Sequence, residues 1–286
     1  MNGDGPISVM NNFVRELLET GYLHNHARMW FASYWIHELN LPWQWGADFF
    51  YRHLLDADPA SNTLSWRWVA GLHTPGKNYL ARRSNIKKFL HPDLYDEDGM
   101  HLLDPPSESL INSPETPPPA DHHTTQQWPS SPDPQLRSAF WMHDEDYSAD
   151  LAPELFQSYS HVFLSQDLQT GQALPYSTTK AKWLDSAFHH TAQRLADTFD
   201  VTTQDQPDLS AQLAQWASDH QIEQIVTTKP DIGYLHDQIP SLIKSLHDHG
   251  IQIIFLTRAD DAVIAPLATA GFFSFWKKLQ KKLLLC

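Results

Sequence analysis

The chain has 286 residues and is 41% hydrophobic, so it is long enough to bury one large core or two modest ones. Its net charge of −14 excludes nucleic-acid binding through bulk charge and leaves room only for a local basic surface. The one cysteine, Cys286, excludes internal disulfide bonds and cysteine metal sites and is typical of a reducing, cytoplasmic compartment. No signal peptide or long apolar run is found, so neither secretion nor membrane insertion is expected.

Residues 1–103 are rich in aromatic side chains and are predicted to be helical. A first helix begins near Ser8 or Asn11, because either side chain can cap the free backbone amides of the first turn. It is expected to end before Gly21, since glycine readily adopts the left-handed conformation that closes a helix.

Three further helices are predicted in this zone. Apolar residues at helical spacing indicate one over 25–39, and another is expected over 46–55. The fourth begins with Asp58 as N-cap and Pro59 at the first helical position, where proline costs no hydrogen bond.

Nine of the 20 prolines lie between residues 104 and 135, so 104–138 is predicted to be a linker. Beyond the linker, strand-like stretches alternate with amphipathic helical stretches, which predicts a small parallel α/β domain of about three strands over 139–286. The expected strands are 161–164, 222–228 and 251–258, and the expected helices are 179–199, 209–220 and 234–249. The fold class is therefore α + α/β. No glycine-rich fingerprint of a dinucleotide or P-loop site occurs.

A set of motifs at defined spacings in the helical zone says more about function than the composition of that zone does. The run GYLHNHARM at 21–29 is followed by DAD at 56–58, Asn62 and WRW at 66–68. Together they resemble the C-terminal part of the FAD-binding domain of the photolyase/cryptochrome family, over roughly residues 5–90.

The resemblance implies that FAD is the cofactor. It implies that Arg28 forms an ion pair with Asp56 beside the flavin ring, and buried carboxylates do require such partners. The segment formed by Asp56, Ala57 and Asp58 would contact the flavin and its ribityl chain. Asn62 would face flavin N5, where an amide oxygen can accept a hydrogen bond from the reduced cofactor.

The resemblance also assigns an electron route and a DNA surface. Trp43 and Trp66 match two members of the tryptophan chain that carries an electron to the excited flavin. The residues that match the rim of the DNA lesion pocket are Asn25, His26, Met29 and Trp68.

Residues 62–90 contain six basic side chains and no acidic one, which predicts a surface for a phosphate backbone. The alternative is a solvated surface that offsets the acidic remainder of the chain. The residues predicted to contact DNA are Arg67, Lys77, Arg82 and Arg83.

Each signal has a purely structural explanation when taken alone. Asp58 followed by Pro59 is sufficient as a helix cap, and tryptophan clusters are more often core than electron route. Arg28 and Asp56 alone would be an ordinary ion pair. The joint spacing favours the family interpretation over these alternatives.

Three functional hypotheses follow from the resemblance. The first is a deoxyribodipyrimidine photolyase-like lyase that uses light and reduced FAD to split a pyrimidine dimer in DNA. The second is a cryptochrome-like blue-light sensor without repair. The third is a truncated, non-catalytic member that needs a second chain, because the family carries its FAD phosphate-binding helices upstream of the segment matched here. The α/β zone resembles part of the family's antenna domain in a rearranged order, and no antenna pigment is predicted.

Overall fold

The computed structural model divides the chain into two compact units. The first comprises residues 1–125 and 168–186, and the second comprises 126–167 and 187–286. Residues 168–186 therefore group with the helical zone, although the sequence placed them in the α/β domain. The described residues are 3–72, 78–104, 128–156, 159–166, 175–204, 208–269 and 272–283.

The first unit is helical, as the sequence predicted. After α2, the chain continues through a π-helical turn at Tyr34–Glu38, so the predicted 25–39 helix is present but changes its winding. The α-helices among the described part of residues 1–103 are α1 (Ser8–Thr20), α2 (Asn25–Ser33), α3 (Trp43–His53), α4 (Pro59–Val69) and α5 (Arg83–Phe89).

The two ends of α1 differ in how well the sequence predicted them. Gly21 ends the helix in the left-handed conformation at φ 70°, as expected. The predicted capping by Ser8 or Asn11 is wrong, because Ile7 occupies the N-cap and makes no side-chain cap. Ser8 Oγ instead donates to Asp96 at 2.8 Å, and Asn11 exchanges two hydrogen bonds with the backbone of a preceding glycine.

An aromatic cluster forms the centre of the helical unit. Trp66 of α4 is 1% exposed and packs edge-on against Phe50, with ring centroids 5.0 Å apart, and against Trp35 at 6.2 Å. Gly46 of α3 lies directly under the Trp66 ring, where a Cβ atom would overlap ring carbons. The small residue therefore allows α3 and α4 to approach closely enough for the indole to be buried between them.

The second unit contains a five-stranded parallel sheet in the order β3-β2-β1-β4-β5. Its strands are β1 (Ser138–Met142), β2 (His161–Ser165), β3 (Asp200–Gln204), β4 (Gln224–Thr228) and β5 (Gln252–Leu256). The later α-helices of the described chain are α6 (Pro153–Phe156), α7 (Thr178–Ala196), α8 (Leu209–Asp219), α9 (Tyr234–Asp248), α10 (Ala259–Ile264) and α11 (Phe272–Leu283). The division between the units falls within α7.

The prediction of about three strands is wrong, because β1 and β3 were missed. The strand β1 is a central, almost wholly buried strand that follows the proline-rich segment directly, so it has no polar alternation to mark it. The strand β3 has the polar sequence DVTTQ and lies at the sheet edge, where one side faces solvent. The sequence patterns of β1 and β3 are therefore weaker strand signals than those of β2, β4 and β5, which were predicted.

Residues 128–130, which the sequence placed in the linker, cover the opposite sheet edge. The backbone amide of Phe255 in β5 donates to the Pro129 carbonyl at 2.8 Å. The rings of Trp128 and Phe255 are 4.6 Å apart. This contact protects β5 from pairing with another chain. Among the described residues, no helix is long and apolar enough to cross a membrane.

The contact between Gly46 and Trp66 yields a stability prediction. Replacing Gly46 by Ala overpacks the contact between α3 and α4, which typically costs about 1–3 kcal/mol and outweighs the propensity gain of about 0.5–1 kcal/mol. Urea unfolding should therefore show a lower free energy of unfolding. Gln44→Ala, at an exposed site of the same helix, should change it by less than about 0.5 kcal/mol. Equal stability of Gly46→Ala and the unchanged chain would contradict the close packing.

Candidate cofactor-binding site

A cavity of about 410 Å³ in the helical unit collects most of the predicted site residues. Small-molecule pockets typically have volumes of about 300–1,000 Å³, so this cavity can hold a ring system of cofactor size. We call it the α2–α4 cavity, because it is lined by Asn25, Arg28, Met29, Ala32, Phe50, Leu54, Asp56, Ala57, Asp58, Ser61, Asn62, Leu64, Ser65, Trp66, Trp68 and Val69.

The predicted ion pair between Arg28 and Asp56 is present at the cavity wall. Arg28 Nη2 lies 3.1 and 2.9 Å from the two carboxylate oxygens, and Nε donates to the Leu23 carbonyl at 2.8 Å. The Asp56 side chain is 56% exposed, so it remains solvated rather than buried. Such a pair contributes at most about 1 kcal/mol to stability, and its main effect is to fix the direction of the guanidinium.

Lys180 brings a second cation close to Asp56, and no sequence pattern predicted it. Its ammonium is buried, donates to the Tyr51 carbonyl at 2.7 Å and lies 4.6 and 4.5 Å from the ring centroids of Tyr51 and Tyr176. Burial lowers the pKa of Lys180 to about 8, and the negative charge of Asp56 partly opposes that shift. No local motif predicts this contact, because Lys180 is far from Asp56 along the chain.

Asp58 both caps α4 and lines the cavity. Its Oδ1 accepts a hydrogen bond from the Ser61 amide at 2.7 Å, and Pro59 occupies the first turn, as predicted. Its other carboxylate oxygen makes no hydrogen bond with the described residues. Asp58 can therefore cap the helix and still present an acceptor to a ligand.

The amide of Asn62 has a defined orientation. Its Nδ2 donates to the Ala47 carbonyl at 2.8 Å, and a carbonyl can only accept, so the nitrogen must point toward α3. Oδ1 is left without a hydrogen-bond partner among the described residues, on a side chain that lines the cavity. The helix pair thus holds one hydrogen-bond acceptor ready for a donor on a bound ligand.

The two predicted electron-transfer tryptophans differ in their relation to the cavity. Trp66 lines it, whereas Trp43 is half-buried at the start of α3, outside the lining. Besides Phe50, Trp66 packs against another tryptophan, Trp35, whose Nε1 donates to the Pro42 carbonyl at 2.9 Å. Trp35 is thus a further candidate in the route, and its spacing in the sequence did not distinguish it from core tryptophans.

Three of the four predicted rim residues line the cavity: Asn25, Met29 and Trp68. Trp68 is 38% exposed and its ring lies 5.4 Å from that of Tyr79, which keeps an aromatic surface at the opening. His26 does not line the cavity. Its ring packs instead 5.6 Å from Trp30 and 5.6 Å from Phe89.

The predicted basic surface is only partly free of acidic partners. Arg67 and Arg82 have no ion-pair partner among the described residues. Arg83 lies 2.8 Å from Glu97, which also accepts a hydrogen bond from Lys87 at 3.0 Å. The stretch 62–90 lacks acidic residues, but Glu97, which follows it in the sequence, folds back and forms ion pairs with Arg83 and Lys87. Lys77 lies outside the described residues.

These features make the helical unit a candidate cofactor-binding unit, and comparisons with known proteins show what it is similar to. Residues 7–101 match the family model described as the FAD binding domain of DNA photolyase. This part of the chain is therefore similar to the photolyase/cryptochrome family, and the description of the model supports FAD as the cofactor. No solved structure gives a significant match.

Curated relatives carry the same assignment but are much longer. A cryptochrome DASH of Idiomarina loihiensis is 34% identical over 98 residues, which cover 34% of this chain and 21% of the relative. A deoxyribodipyrimidine photo-lyase of Alkalihalophilus pseudofirmus is 29% identical over 145 residues, covering 51% and 28%. One of Agrobacterium fabrum is 47% identical over 89 residues, covering 31% and 18%. The chain thus matches only 18% to 28% of the length of these relatives.

The two roles of Asp58 can be separated by substitution. Asp58→Ala removes the acceptor for the Ser61 amide and should lower the free energy of unfolding by about 1 kcal/mol. Asp58→Asn keeps an acceptor oxygen, so it should lower the free energy of unfolding by only a few tenths of a kcal/mol. Chemical denaturation of both variants measures the difference. If Ala and Asn are equally stable, the side chain does not cap the helix.

Proposed function

We propose that the helical unit binds FAD in the α2–α4 cavity and uses it for light-driven electron transfer to a pyrimidine dimer in DNA. The single observation that carries the proposal is Asn62 Oδ1, which has no hydrogen-bond partner among the described residues and belongs to a side chain lining the same cavity as Arg28, Asp56 and Asp58. These groups match the polar edge of a flavin, with an acceptor for a ring N–H and charges for its carbonyl and hydroxyl groups.

The residues present fit such a ring system. Phe50, Trp66 and Val69 provide apolar contact, and the polar groups lie mainly on Asp58, Asn62 and the Arg28–Asp56 pair. Arg28 supplies a fixed donor, since Asp56 and the Leu23 carbonyl hold its guanidinium. Asp58 would accept from ribityl hydroxyls, and the neighbouring Ala57 leaves room at the wall.

When bound and reduced, FAD supplies an electron on absorption of blue light. This chain's own residues would hold the cofactor, exclude water from one face and feed electrons from the protein. Trp66 is the entry residue, because it is buried and lines the cavity. Trp35 or Trp43 would pass the electron to Trp66, and the ring contact favours Trp35.

The opening of the cavity suits a base taken out of the DNA stack. Enzymes that act on a lesion must expose it, and Trp68 offers a stacking surface next to Asn25 and Met29. Arg67 and Arg82 would contact the phosphate backbone. Arg83 is a weaker candidate for that role than the sequence suggested, because Glu97 already neutralises it.

A cryptochrome-like sensor is the second candidate. It uses the same cavity and the same Trp66–Trp35 contact, and relatives of both kinds are named among the matches. A partner chain that completes the pocket, the domain boundaries at 103 and 138, and a cytoplasmic location stay predictions.

The electron route is tested by photoreduction of FAD bound to the chain, followed by absorbance under blue light with an external donor. Trp66→Phe should slow photoreduction about tenfold, equivalent to about 1.4 kcal/mol in the barrier. Trp45→Phe is the matched control, because Trp45 is 65% exposed and lies outside the cavity lining. Unchanged photoreduction in Trp66→Phe would remove Trp66 from the route.

Repair is tested with an oligonucleotide that carries one thymine dimer. Blue light should restore the dimer to separate bases, and Trp68→Ala should weaken binding of the damaged strand by about 1–3 kcal/mol, the usual value of one stacked base. Trp45→Ala should bind as the unchanged chain does. Photoreduction without loss of the dimer would favour the sensor over the lyase.

A further inference from the structure

Three side chains of the second unit converge at the end of the sheet where β2 and β3 begin. His161 is the first residue of β2 and Asp200 the first of β3, and the two are direct partners in the parallel register. His161 Nδ1 lies 3.0 Å from Asp200 Oδ2. The ring of His220 lies 4.8 Å from that of His161, centroid to centroid. The ligating atoms of all three lie within 4.8 Å of one another.

The backbone fixes each of these residues in position. The parallel ladder between β2 and β3 holds His161 and Asp200 side by side. His220 occupies the C-cap of α8, and two hydrogen bonds close that helix end. The Ile222 amide donates to Ala217 at 2.7 Å, and the Gln221 amide, from a residue at φ 55°, donates to Ser218 at 3.1 Å. This is the Schellman arrangement, which defines where the chain leaves the helix.

Two imidazoles and one carboxylate are a ligand set for first-row divalent metals. Zinc is bound by nitrogen at about 2.0–2.1 Å and by carboxylate oxygen at about 2.0–2.2 Å, so neighbouring ligand atoms lie about 3–3.5 Å apart around it. The His161–Asp200 distance already meets that spacing. Asp200 is 60% exposed, so its side chain can adjust to bring the set together around one ion.

The position of His220 also favours a cation electrostatically. The C-terminal end of a helix carries a partial negative charge, because its last carbonyl groups lack partners within the helix. The C-cap residue His220 lies at this end of α8. A positive ion held between His161, Asp200 and His220 would therefore lie near the negative end of the α8 dipole.

We propose that His161, Asp200 and His220 form a binding site for a divalent transition-metal cation of the zinc class. Three protein ligands on exposed or half-buried side chains leave coordination positions open to water or to a small anionic ligand. The site belongs to the second unit alone and is independent of FAD binding by the first. A simple hydrogen-bonded His161–Asp200 pair is the alternative, and it makes no use of His220.

The test is a zinc titration of the full chain after removal of metals with a chelator, measured by calorimetry. The unchanged chain should bind one Zn²⁺, and His220→Ala should weaken binding by at least the 10- to 100-fold typical of losing even an outer-shell partner. Asp200→Asn, which keeps an oxygen beside His161 but loses the anion, should also weaken it. His247→Ala is the control, because His247 is an exposed histidine on α9 of the same unit.

Each outcome decides the proposal. Binding that is lost in His220→Ala and Asp200→Asn but kept in His247→Ala supports it, provided circular dichroism shows all variants folded. Absence of zinc binding by the unchanged chain overturns the proposal. Equal affinity of His220→Ala and the unchanged chain also overturns it, since the metal would then be bound elsewhere. If His220→Ala unfolds, Asp200→Asn alone decides by the same criterion.

Discussion

The close approach of α3 and α4 at Gly46 is the contact on which the α2–α4 cavity depends. With no side chain at Gly46, the Trp66 indole lies against the α3 backbone and fills the space between the helices. The same approach brings Asn62 within hydrogen-bonding distance of the Ala47 carbonyl, which orients its amide. A wider helix spacing would leave Asn62 unoriented and Trp66 exposed. One packing constraint therefore sets both the cavity wall and its acceptor.

The polar groups of the cavity are arranged around that wall without being deeply buried. The Arg28–Asp56 pair is half-exposed, and one carboxylate oxygen of Asp58 accepts the hydrogen bond that caps α4. The cavity thus avoids the desolvation cost of an unpaired buried charge while keeping donors and acceptors directed at a ligand. Lys180 adds a buried cation nearby. Burial lowers its pKa, and the negative charge of Asp56 partly opposes that shift. This balance suits a cofactor with both apolar and hydrogen-bonding edges.

Local sequence signals predicted the helical site well and its long-range contacts poorly. Asp58 and Pro59 specified the start of α4, and Gly21 the end of α1, because both act through neighbouring backbone atoms. The Arg28–Asp56 pair followed from the family motif. Glu97 approaches Arg83, and Lys180 approaches Asp56, only through tertiary folding, so no local window of sequence contains these contacts. The edge strand β3 was missed because its polar sequence does not differ from a loop.

Flavin binding in the α2–α4 cavity is the central proposal. The most direct measurement is the visible absorbance of the purified chain after incubation with FAD and removal of unbound cofactor by gel filtration. The account predicts that FAD remains bound in equimolar amount and that Asp58→Asn, which keeps the helix cap, retains much less. A colourless chain after this treatment, or full retention by Asp58→Asn, would contradict it.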